Sequence, residues 1–128
     1  MSKDKVVIRR QNEDFKIEEV DNLNLKYLQS KVGGYIELVS WYNQLSDLNI
    51  DMWINEEGKS IQGLLPTFIV VDNKDEIKDI IMGDVVFTSF DNEGNTIGLN
   101  DIQAQKIKRI FKKTAVLNNG AIVSIMKI

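Results

Sequence analysis

The chain has 128 residues, 43% hydrophobic and 27% charged, with a net charge of −3 and neither cysteine nor histidine. These values fit one globular domain spanning residues 1–128, with a hydrophobic core of its own. Disulfides, thiolate nucleophiles, Ser–His or Cys–His catalysis and Cys/His-ligated metals are excluded, which leaves only carboxylate sites for hard cations.

No apolar run approaches the roughly 20 residues that a membrane span needs. No signal-like stretch follows Met-Ser-Lys-Asp-Lys, so a cytoplasmic protein without membrane contact is expected.

In chain order, residues 5–11 read as a strand with Val6 and Ile8 inward. Asn12-Glu13-Asp14 reads as a turn, and Phe15 to Val20 as a second strand closing a hairpin. Leu25, Leu28 and Val32 fall at i, i+3 and i+7, the spacing of one helix face, with Asp21 or Asn22 as cap. Gly33 is placed to end that helix in the left-handed region, and Gly34 frees the chain to turn. Tyr35 to Trp41 then alternates as a strand.

Asn43 to Asn49 is polar and broken, a loop or a single helical turn. Ile50 to Asn55 is a strand with Ile50, Met52 and Ile54 on one face and Trp53 on the polar one. Glu56-Glu57-Gly58 reads as a hairpin tip with Gly58 at positive φ, and Ser60 to Leu64 as the return. Thr67 to Val71 is a continuous apolar run, a strand covered on both faces. Glu76 to Ile81 reads as a short helix ended by Gly83, and Asp84 to Phe90 as a strand.

Asn100 or Asp101 caps a second long helix, about Asp101 to Lys113, with Ala104, Ile107, Ile110 and Phe111 as its apolar stripe. Asn119-Gly120 is the strongest hairpin signal, set between two apolar runs. The expected fold is α+β: a curved, mainly antiparallel sheet carrying two helices.

Charge is unevenly spread. Residues 102–128 hold six basic residues and no acidic one, which leaves ten basic and nineteen acidic residues, a net of −9, in 1–101. Either the two regions complement each other, or the basic helix binds an anion. Lys106, Arg109 and Lys113 fall at i, i+3 and i+7 and form the candidate anion- or partner-binding stripe, weighed against a merely solvated helix face. The acidic body argues against duplex DNA. Glu56 and Glu57 beside Lys59 are a candidate cation, acid–base or interface site or simply an exposed tip, and Trp41, Tyr42 and Trp53 a candidate aromatic interface or plain packing. No catalytic residue, metal ligand or cofactor is expected.

Three blocks resemble the signature of an uncharacterised family labelled DUF3846, a domain of unknown function. They are Leu28-Gln29-x-x-Val32-Gly33-Gly34-Tyr35-Ile36-Glu37, Asn55-Glu56-Glu57-Gly58-Lys59, and Asp79-Ile80-Ile81-x-Gly83-Asp84-Val85-Val86-Phe87. The resemblance spans roughly Lys5 to Phe111, so the segment after Lys113 reads as an addition. It implies a small cytoplasmic protein, often carried by phages and other mobile elements, with no established catalytic residues. In that context the expected function is non-enzymatic binding or regulation, countering host defence through a host protein or a small nucleotide signal. The alternative is a nucleic-acid-associated module using the basic C-terminal helix. A homo-oligomer stays open.

Overall fold

A computed structural model describes residues 3–39, 42–111 and 113–128. Where one sheet is expected, the strands divide into two. The first contains β1 (Asp4–Arg9), β2 (Lys16–Val20), β3 (Ile36–Val39), β4 (Ile50–Asn55), β7 (Val85–Phe90) and the short β8 (Thr96–Ile97). Its order is β2-β1-β7-β4-β3, with β8 beside β7. The second contains β5 (Pro66–Val71), β6 (Ile77–Met82), β9 (Thr114–Val116) and β10 (Ile122–Lys127), in the order β6-β5-β10-β9. All described pairs are antiparallel except β5 with β10. The helices are α1 (Leu25–Val32), α2 (Asn43–Ser46, one turn) and α3 (Asp101–Ile110). The α+β class therefore holds, with two sheets and a third, minimal helix.

The expected helix over Glu76–Ile81 is strand β6. Its isoleucines have helical spacing, but Asp72 builds a turn instead. The Asp72 carboxylate accepts from the Lys74 and Glu76 amides, and the Asp72 amide donates to the Glu76 carbonyl. That turn folds Ile77–Met82 back onto β5, where Ile81 pairs with Phe68. The expected Ser60–Leu64 return strand is also absent. After β4 the chain makes a 3₁₀ turn at Gly58–Ser60 and crosses to the other sheet. Gly58 does not take the expected positive φ. It is needed because a Cβ there would lie 3.0 Å from the Met82 carbonyl oxygen.

The first sheet is covered on both faces. Val6, Ile8, Val20 and Val86 pack on Leu28 and Val32 of α1. Val7, Met52, Val85 and Phe87 face a larger core shared with Phe68, Val70, Ile81 and Met126 of the second sheet and Ala104, Ile107 and Phe111 at α3. Phe111 sits at the end of α3 with Tyr42, Phe15, Phe68 and Phe87 at centroid distances of 5.7, 5.9, 5.2 and 5.8 Å. Such pairs add about 0.5–1.5 kcal/mol each to area burial. Two-sided cover explains why β1 buries Val7 and Arg9 along with Val6 and Ile8, contrary to a one-faced strand. The segment after Lys113 is integral to this fold, because β10 lies inside the second sheet and brings Met126 into the core.

Candidate functional site

A cleft of about 400 Å³ opens where the β1–β2 turn, the C-terminal end of α3 and the β9–β10 hairpin meet. Its lining combines Arg9, Phe15, Phe111 and Ser124, all buried, with Glu13, Asp14, Lys108, Thr114 and Ile122 nearer the surface. Strand parity explains Arg9. It has the parity of Val7, so it points into the space between the sheets with only 2% of its surface exposed. Its Nη1 donates to the Arg10 carbonyl at 2.6 Å and its Nη2 to the Ile122 carbonyl at 2.7 Å, and its guanidinium lies 5.9 Å from the Phe15 ring centroid.

No carboxylate of the described residues forms an ion pair with Arg9. Burial lowers its pKa, and the fields of Asp14 and Asp84 offset part of that. A guanidinium nonetheless stays protonated, so the cleft has a fixed positive floor. Beside it Ser124 is fully buried, and its Oγ has no hydrogen-bond partner among the described residues. A hydroxyl without a hydrogen-bond partner and a guanidinium without a carboxylate partner, both among the described residues, thus line the same cleft.

The turn that carries the acidic wall is latched in place. Asn12, at φ 58°, accepts the Ile122 amide on its Oδ1 at 2.8 Å, and the Gln11 side chain accepts the Leu65 amide. Asp14 Oδ1 accepts the amide of Phe15 at 2.7 Å.

The expected anion stripe assembles differently. Asn100 and Gln103 form a reciprocal cap at the start of α3, but the helix ends at Ile110. Lys113 therefore lies beyond it and does not share a helical face with Lys106 and Arg109. All three are exposed. The α3 cation that reaches the cleft is Lys108. Sequence reasoning missed Arg9, Glu13, Asp14 and Ser124. One signal was available for Arg9: the unbroken Val6-Val7-Ile8 run, which marks a strand covered on both faces.

The two described residues of the expected aromatic interface, Trp53 and Tyr42, are packed into the fold. Trp53 is half-buried against the α1-side core, and its Nε1 donates to Thr88 Oγ1 at 2.8 Å. Tyr42 is 3% exposed and stacks on Phe111, and Trp41 lies outside the described residues. Glu56 and Glu57 are exposed beyond β4, next to a junction that joins the three signature blocks.

Gly33 takes φ 84° to end α1. The buried Asn55 side chain donates to the Val32 carbonyl at 3.0 Å and accepts the Glu57 amide at 2.8 Å. Gly34 leaves it room, since a Cβ there would lie 3.1 Å from Asn55 Nδ2. Lys59 pairs with Asp79 across the same junction. Much of the signature is thus a splint between α1, β4 and β6. The Tyr35 carbonyl joins the splint by accepting the Glu56 amide at 2.8 Å, but its side chain, on a residue 67% exposed, falls outside that account.

The family model described as Domain of unknown function (DUF3846) matches residues 3–112. No curated protein and no solved structure matches the chain. Thr114, Ile122 and Ser124 of the cleft lie beyond the matched span.

Proposed function

Because the chain belongs to the family Domain of unknown function (DUF3846), we propose its activity from the cleft: it is a non-enzymatic binding protein that holds a small anion there. The observation that supports this reading is the buried Arg9, unpaired with any described carboxylate and beside the partnerless Ser124 hydroxyl. Lys108 adds a second cation at the rim. The size of the cleft suits a small molecule. Glu13 and Asp14 interrupt the basic surface next to Lys108, which disfavours a nucleic-acid polymer tracking across it. We further propose that this activity belongs to a phage or other mobile element, where sequestering a small signal would counter a host defence.

The test is a nuclear magnetic resonance titration with ethyl phosphate at constant ionic strength. Saturable shifts at the amides of Arg9, Phe15, Lys108 and Ser124, weakened in Lys108→Gln, are expected. The ³¹P line of the probe should stay single, because the protein does not turn it over. Absence of saturable shifts at these residues removes the anion-binding reading, and a second ³¹P product line removes the non-enzymatic one.

A further inference from the structure

We propose that the ligand of this cleft is a small ampholyte, with its anionic group on the Arg9–Ser124 floor and a protonated amine against Glu13 and Asp14. This deepens the anion-binding reading and rests on it. Glu13, Asp14, Arg9 and Lys108 all line one cleft, yet none of them forms an ion pair with another described residue. Elsewhere the surface pairs its charges readily: Lys31 and Arg10 both reach Glu18, and Lys78 reaches Asp72 and Glu76.

Two carboxylates beside a bound anion would repel it, so a site for a pure anion gains nothing from them. They fit a ligand that carries both signs. The acidic wall is also positioned rather than loose. Asn12 ties the turn to β10, and Asp14 spends one oxygen on the Phe15 amide, which leaves the other for a ligand ammonium.

The experiment compares two matched probe pairs in the same titration: phosphoethanolamine against ethyl phosphate, and β-alanine against propionate. Each pair keeps the anion and differs in the ammonium. The wild type should bind the ammonium-bearing member about tenfold more tightly, as expected for a charge-assisted contact of about 1.4 kcal/mol. Which pair binds better distinguishes phosphate from carboxylate as the anionic group. In a Glu13→Gln, Asp14→Asn double variant, which keeps the Oδ1 acceptor for Phe15, the preference should vanish while ethyl phosphate binds as well or better.

If ethyl phosphate and phosphoethanolamine bind the wild type equally, and β-alanine matches propionate, the ampholyte inference is wrong and the anion reading stands. A preference that persists in the double variant also overturns the inference. If no probe binds, the anion reading itself falls.

Discussion

Replacing Asn55 by Ala tests the splint that joins the signature blocks. The change strands the Val32 carbonyl and the Glu57 amide, which Asn55 holds at 3.0 and 2.8 Å. A buried group left unsatisfied costs about 1–3 kcal/mol. The Glu57 side of the splint is nearer to water, so the total should be about 2–4 kcal/mol. With an unfolding entropy of about 2.1 cal/mol/K per residue, that is a fall in Tm of roughly 7–15 °C for a chain of this length.

Gly34→Ala sharpens the test, because its new Cβ would sit 3.1 Å from Asn55 Nδ2 and push on the same bond. In the wild type it should destabilise by about 1 kcal/mol. In the Asn55→Ala background the obstruction is gone, and the stiffer unfolded chain should make the same change neutral or stabilising by about 0.4–1 kcal/mol. Urea denaturation of the four proteins gives the coupling directly. Equal Gly34→Ala effects in both backgrounds would refute the argument that Gly34 exists to admit Asn55.

Two further outcomes follow from particular residues. Gly33→Val should cost about 2 kcal/mol, because φ of 84° strains a β-branched residue. The nearest atom to its Cβ is 4.0 Å away, so the cost is backbone strain, and Gly33→Asn should recover much of it in thermal melts. Asp51 is half-buried on β4, and burial raises its carboxyl pKa above the unfolded value, so ionisation costs stability as pH rises through that window. Asp51→Asn should therefore raise Tm near neutrality and lose its advantage at about pH 3, below the usual carboxylate range.

What the sequence made legible was local. Gly33 ending α1, the Asn100 cap and the hairpin around Asn119-Gly120 each rest on a few adjacent residues and are found in place, although the hairpin loop runs over the three residues 118–120 instead of two. What it hid depends on distant partners. The spacing of Ile77, Ile80 and Ile81 suits a helix until β5 is there to pair with, and nothing local says that Pro66–Val71 and Ile50–Asn55 belong to different sheets. The cleft was least legible, because Arg9 and Ser124 come from opposite ends of the chain and acquire meaning only through their shared position. Lys108 was visible as a cation, but its selection over Lys106 and Arg109 depends on which side of α3 meets the β1–β2 turn.

The interior position of β10 has a consequence for how the protein is made. β5 is buried at all six positions and pairs with nearby β6 on one side, while its other side waits for β10, far along the chain and parallel to it. Parallel pairing over such a separation is slow, because the loop must close before contacts repay it. Until then Thr67-Phe68-Ile69-Val70-Val71, uncharged and β-branched at every position but the aromatic Phe68, presents a bare strand edge of the kind that seeds aggregation. Changes that weaken β10 should therefore reduce the yield of soluble protein before they lower the melting temperature of the molecules that do fold.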